Sequence, residues 1–178
     1  MNVLSADGFV LEPQTALHAA ALFALLQDPA IYRHENEPPP AFDAFRERLQ
    51  RLEWRRSPDG RQAWLNWIVR CGDGEVAGYV QATVHDTGDA WVAYVLGSPF
   101  WGRGLGCRAV ARMLLELESS YAVHTAWAVF KRRNAASRRL LERLSFEPAR
   151  ESRVPDVEKD EDVYLRRLRP ARTAQHGP

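Results

Sequence analysis

A chain of 178 residues with 46% hydrophobic content has room for one core and needs neither metals nor staples to hold it. Its 24 Lys+Arg nearly balance 23 Asp+Glu, so no global field draws it onto nucleic acid or an anionic membrane, and no apolar run reaches the roughly 18 residues of a membrane span. Two cysteines, Cys71 and Cys107, are too few for a disulfide framework or a metal site, and the absence of a basic leader with an apolar h-region completes the expectation of a cytoplasmic protein without bound metal.

Residues Gly8 to Leu11 read as a short strand closed by Pro13. Leu17, Ala20, Ala21, Phe23, Ala24 and Leu25 then fall on one broad apolar face, predicting a helix over Ala16 to Leu26 that stops before Pro29. An irregular segment follows, from Ile31 to three consecutive prolines at Pro38 to Pro40. It suits either an acceptor-shaping loop or a plain surface connection. Asp43 is a candidate cap for a second helix through Leu49 and Leu52, ending near Ser57-Pro58-Asp59-Gly60. Strands are expected over Gln62 to Arg70, Val76 to His85 (with Gly78 inside it) and Trp91 to Leu96, joined by tight turns into an antiparallel meander.

Beyond the meander lies Phe100-Trp101-Gly102-Arg103-Gly104-Leu105-Gly106. Three glycines at alternate positions, entered from a strand and left into a helix, suit a loop whose backbone N–H groups come close to a phosphate. Val110, Met113, Leu114, Leu117 and Tyr121 continue as an amphipathic helix. Val123 to Phe130 is a further strand, Asn134 caps a helix through Leu140, Leu141 and Leu144, and two strands close the chain near Arg150 to Val154 and Val163 to Leu168. Residues 1–169 thus form one domain and 170–178 a polar, flexible tail. Charge is uneven: Lys131-Arg132-Arg133 and Arg138-Arg139 are basic, whereas Asp156 to Asp162 is acidic.

A strand, glycine loop, helix and strand make a βαβ unit attached to an antiparallel meander, so the sheet is expected to be mixed α/β. A dinucleotide fold is disfavoured because no second βαβ unit carries a ribose-binding acid. A P-loop is excluded by the lack of Gly-Lys-Ser/Thr after the glycines.

Tyr94-Val95-Leu96, the run Phe100 to Gly106, Asn134-Ala135-Ala136-Ser137 and Leu144-Ser145-Phe146 together resemble the GNAT superfamily of acyl-CoA N-acyltransferases, closest to the branch containing ribosomal-protein N-terminal acetyltransferases. The resemblance implies a strongly twisted mixed sheet of about six to seven strands with about four helices, splayed between its fourth and fifth strands. It implies acetyl-CoA as cosubstrate, a small-molecule or peptide amine as acceptor, and direct attack in a ternary complex; dimers are common among similar proteins. The amides of Trp101, Gly102, Arg103, Gly104, Leu105 and Gly106 would bind the pyrophosphate, as expected at a helix N-terminus. Arg103 would add a charge-assisted contact, with Arg108 a surface arginine. The backbone at Tyr94, Val95 and Leu96 would pair with pantetheine, and Asn134 would hold the cofactor arm, cap a helix, or both. Lys131 to Arg133 either approach the nucleotide phosphate or form a solvated run.

For the chemistry, the tyrosine that several relatives use to protonate the leaving thiolate is replaced by Leu141, which leaves Ser137 as the candidate acid; alternatively its hydroxyl satisfies a local backbone group. The glutamate that related enzymes place before the Ile-Gly-Tyr-like run is Trp91 here. His85, with the roughly 6.5 pKa usual for histidine, is then the candidate base, ahead of Asp86, Glu35 and Glu37. Cys107 reads as a small residue packing the helix start. Trp64, Trp67 and Trp91 line either the acceptor side or the core. Without the usual tyrosine and glutamate, a catalytically idle acyl-CoA-binding module is the competing reading.

Overall fold

The computed structural model describes residues 1–34, 37–150 and 157–169. Within them an eight-stranded sheet runs in the order β1-β2-β3-β4-β5-β6-β8-β7. The strands are β1 (Leu4–Ala6), β2 (Phe9–Pro13), β3 (Gln62–Cys71), β4 (Val76–His85), β5 (Asp89–Leu96), β6 (Thr125–Lys131), β7 (Glu147–Pro148) and β8 (Glu161–Arg167), and the helices are α1 (Ala19–Leu25), α2 (Phe42–Leu52), α3 (Leu105–Ser120) and α4 (Ala135–Arg143). All pairings are antiparallel except β5 with β6, which the α3 crossover makes parallel. The mixed α/β sheet and its four helices match the expectation from sequence.

Four local details differ from it. The N-terminal strand is a hairpin, because Gly8 turns left-handed at φ 77 and folds Leu4–Ala6 back onto Phe9–Leu11. Leu17 sits in a 3₁₀ turn ahead of α1 and is 94% exposed, so it leaves the apolar face assigned to it. Asp43 lies inside the first turn of α2, where Arg46 approaches it at 3.6 Å, and Ala41 holds the capping position. The strand expected near Arg150 to Val154 falls largely on 151–156, outside the described residues, as does the tail; β8 takes the short Glu147–Pro148 as its neighbour.

The sheet has two distinct faces. One is backed by α3 and α4, which bury Leu65, Trp67, Val80, Ala82 and Val92 against Val110, Met113, Leu117 and Leu141. Trp67 is wholly buried there and donates its indole N–H to the Asn2 carbonyl at 3.1 Å, so it belongs to the core and not to the acceptor side. The other face is covered at one end by α1 and α2, through Leu22, Phe45, Leu49 and Ile68.

The parallel pairing of β5 with β6 stops early. It holds at Asp89–Thr125, Ala90–Ala126 and Trp91–Trp127, and no further. Beyond that rung β5 stays with β4 as far as Leu96 opposite Gly78, while β6 stays with β8 as far as Lys131 opposite Glu161. A wedge therefore opens between Val92–Leu96 and Ala128–Lys131, toward the carboxyl ends of both strands, where open α/β sheets bind ligands. This is the expected splay, displaced by one in strand number by the N-terminal hairpin. On the β4 side Gly78, at φ 149, allows a very close approach: a Cβ there would lie 2.1 Å from the Val95 carbonyl oxygen.

Candidate active site: a wedge bordered by free amides

The glycine loop stands at the carboxyl end of β5. A 3₁₀ turn over Ser98–Phe100 leads into it, and its bonds engage the Phe100 amide with Gly97 O at 3.0 Å and the Trp101 amide with Ser98 O at 3.2 Å. From Gly102 onward the pattern changes. Gly102 and Gly104 adopt φ values of 75 and 71, the left-handed region that favours glycine, and Gly104 caps α3 without help from a side chain. The next amide with a backbone acceptor is that of Arg108, bonded to Gly104 O at 3.1 Å. The amides of Gly104, Leu105, Gly106 and Cys107 are thus the unmatched donors of a 16-residue helix, at the positive end of its dipole. Gly106 serves packing instead: a Cβ there would meet Leu96 Cδ1 at 3.1 Å and Leu140 Cδ1 at 3.2 Å.

Two side chains fix where this loop sits. The Trp101 indole donates to the Leu96 carbonyl at 2.8 Å, closing the end of β5 and occupying the Leu96 oxygen. Asp28, read from sequence only as part of a helix stop, accepts from the Ser98 amide at 3.3 Å and from the Ala30 amide at 2.9 Å. The Ser98 contact, then the Ala30 bond, hold its carboxyl below the usual range. Arg103 is exposed, whereas Arg108 turns away, donating to Asp7 O at 2.8 Å and lying 5.5 Å from the Phe9 ring centre.

Across the wedge, α4 begins at Asn134, whose side-chain oxygen accepts from the Ser137 amide at 3.0 Å; its capping role is met. Ser137 and Tyr94 are side-chain hydrogen-bond partners, an interaction that opposes the effect of burial on Tyr94. Tyr94 reaches from β5 to the same spot. Its hydroxyl makes a long hydrogen bond of 3.4 Å to Ser137 O, and burial pushes its pKa up to about 12. Tyr94, Leu96, Asn134 and Ser137 therefore meet on the α3–α4 side, with Cys107 packed against the same core. Leu141 is 1% exposed and purely apolar packing.

His85 is not among them. It lies on the opposite sheet face, in register with Gln62, two residues beyond the Thr83–Trp91 pair; strand spacing puts it about 8 Å from Trp91 between Cα atoms. Asp86 and Glu37 are exposed, and Glu35 lies outside the described residues. On this face Trp64 and Trp91 are half-buried, and Trp91 packs on Trp127 with ring centres 5.6 Å apart. Sequence reading missed Trp127, whose relevance depends on a register that residues 36 apart in the chain create.

Three cations of the basic cluster, Lys131, Arg132 and Arg138, are ion-paired, and Arg132, Arg133 and Arg139 are exposed to solvent. Lys131 contacts Glu158, Asp160 at 3.0 Å and Glu161 at 3.3 Å, and its pKa is driven well above the lysine range, by Glu158 first. Arg132 and Arg138 share Asp162 at 3.0 and 2.9 Å. Arg133 donates to His34 O at 2.6 Å. The acidic segment near the C-terminus is thus the partner of these cations. Among the described residues no group of His, Cys, Asp or Glu is arranged to hold a metal, and no helix is long and apolar enough to cross a membrane.

Among the described residues the sheet is splayed at its one parallel pair, with free helix-start amides at the end of one lip. The sequence profile described as an acetyltransferase (GNAT) domain matches residues 9–147, and the chain belongs to that family. No curated protein matches the chain at a significant level. Solved structures do. RimL, a ribosomal L7/L12 alpha-N-protein acetyltransferase in complex with coenzyme A, superposes with a TM-score of 0.80 at 15% identity over 96% of this chain and 100% of its own. The ribosomal-protein-S5-alanine acetyltransferase from Vibrio fischeri gives 0.77 at 17% over 94% and 97%. The microcin C7 self-immunity acetyltransferase MccE, in complex with acetyl-CoA and AMP, gives 0.75 at 15% over 92% and 94%. At these identities the likeness is one of fold, and it places the ribosomal-protein acetyltransferases among the chain's structural neighbours.

Proposed function

We propose that the chain moves the acetyl group of acetyl-CoA to a primary amine by direct attack. The observation that carries this is the wedge between β5 and β6 ending at unmatched amides, in a chain of the acetyltransferase family. The amides of Gly102 to Gly106 would hold the pyrophosphate, with Arg103 beside them; the Trp101 amide, bonded to Ser98, would contribute through its turn. Pantetheine would run along the unpaired edge of β5 at Tyr94, Val95 and Leu96, with Asn134 on the facing lip. Acetyl-CoA supplies an activated acyl group. A bond forms between the acceptor nitrogen and the acyl carbon, the carbon–sulfur bond breaks, and the thiolate takes a proton.

Ser137, beside Tyr94 on the wedge's α4 side, is the proposed donor of that proton. His85, on the other face, is the proposed acceptor of the amine's proton, through water given its distance from the wedge. Such a division suits a reaction that passes through the sheet, thiol on one face and amine on the other.

Thiol release from acetyl-CoA with a panel of amines tests the activity. Ser137→Ala is expected to lower kcat at least tenfold while leaving CoA affinity unchanged; a rate held within about threefold removes the acid role. Buried Leu141 and half-buried Trp91, standing where relatives carry an acid and a base, favour a second reading as an acyl-CoA-binding module. Tight CoA binding without turnover on a broad panel would select it.

A further inference from the structure

The strand registers align side chains that are far apart in the chain. Trp64 pairs with Thr83, Thr83 with Trp91, Trp91 with Trp127, and Trp127 with Leu165. Paired residues share a face, so these five, followed by Glu147 opposite Leu165 on β7, form one row across β3, β4, β5, β6, β8 and β7, on the side of the sheet away from α3 and α4. The row passes through the last rung before the wedge opens.

Core packing does not account for the two central rings. The core under α3 and α4 takes the flanking residues Ala90, Val92, Ala126 and Ala128, and the core under α1 and α2 reaches only Val95 on β5. Trp91 and Trp127 belong to neither. They pack on one another, tilted by 31°: Trp127, 6% exposed, lies beneath, and the accessible indole surface belongs to half-buried Trp91, with Ala93 beside it exposed.

Resting on the acyl-transfer reading above, we infer that the acceptor lies against Trp91 and Trp127 and carries its amine on a flat aromatic framework. Three features lead there. The position is continuous with the apex of the wedge, on the face from which an amine would reach an acyl carbon held between β5 and β6. The first five positions of the row contain no charged side chain, and half-buried Trp91 offers indole surface, which takes aromatic rings in offset or tilted stacking. The carboxylates on β5 and β8 of this face are engaged elsewhere: Asp89 accepts from Thr87 at 3.2 Å, and Glu161 accepts from the Glu158 amide at 2.9 Å while contacting Lys131. A polycationic acceptor such as a polyamine or an aminoglycoside needs several free carboxylates and finds one in the row, Glu147, three strands away from Trp91 at the sheet edge.

Calorimetric titration of 2-phenylethylamine and of spermidine, each into the protein with and without CoA, tests this. The aromatic amine is expected to bind at least tenfold more tightly than spermidine. Trp91→Ala and Trp127→Leu are each expected to weaken phenylethylamine at least tenfold, Trp91→Phe by less than threefold, and none to change CoA affinity by more than twofold; retained CoA binding also shows that a variant is folded. The inference is overturned if phenylethylamine fails to bind, if spermidine binds as well or better, or if both tryptophan variants keep wild-type amine affinity within twofold. Wild-type protein that does not bind CoA would instead refute the acyl-CoA reading, and the amine titration without CoA would still decide the role of the tryptophans.

Discussion

The ends of β5 and β6 sit on the two lips of the same wedge and handle charge in opposite ways. At the end of β5 the loop from Gly102 to Cys107 has little side-chain chemistry, yet it leaves backbone donors without acceptors. At the end of β6, Lys131, Arg132 and Arg138 supply abundant positive charge, all of it matched by Glu158, Asp160, Glu161 and Asp162. The lip that looks poorer in charge is the one prepared for an anion. A count of cations along the chain points to the other lip, yet an ion pair removes a cation from service whereas helix geometry keeps the amides available.

Breaking the amide side should have the larger effect on ligand. Gly104→Val forces a β-branched residue into the left-handed region, at roughly 1–2 kcal/mol, which corresponds to about five- to thirty-fold in CoA affinity if the loop absorbs it. Calorimetry with CoA measures this, and unchanged affinity would mean that the loop is not the anion site. The charged side should answer inversely. Lys131→Met is expected to lower the urea midpoint while shifting CoA affinity less than twofold, and a matching loss of CoA binding would erase the contrast between the lips.

Acid pH sharpens the same point. Lys131 holds the Asp160 carboxyl below its ordinary value, so this carboxylate contributes stability above that value and loses it as pH falls below about 3.8. Urea midpoints at pH 5 and pH 3 should therefore differ less in Lys131→Met than in the parent. The smallest effect concerns Tyr94. Its hydroxyl stays protonated to about pH 12 when folded, against 10 when unfolded, so the unfolded state loses its proton first and stability falls as pH rises between the two. Tyr94→Phe should reduce that alkaline loss, read from midpoints at pH 9 and pH 11.

Much of the fold was legible because its signals are local. The meander from Gln62 to Leu96 announces itself through alternation and tight turns, the glycine loop through spacing, and α4 through an Asn134 that does cap it. The β1 hairpin was not, since a three-residue strand has too few positions to show a period. The matching of the basic cluster by the acidic segment was hidden because the partners stand 24 to 30 residues apart and nothing in either run names the other. The separation of Ser137 and His85 onto opposite faces depends on register, which shifts with a single bulge such as that between Val69 and Arg70. Trp67 and Trp64 look equivalent in the sequence, yet an odd spacing in a strand sends one into the core and the other to the open face.

Gly78 touches neither the loop nor α4, but it acts on the wedge from behind. A methyl group there has no place while the Val95 oxygen stays where it is, so any side chain would drive β5 off β4, and the direction left open to β5 is toward β6. The aperture between the lips is thus calibrated by a missing atom on the strand next door. A shim inserted at that position would narrow the slot without altering a single residue that lines it.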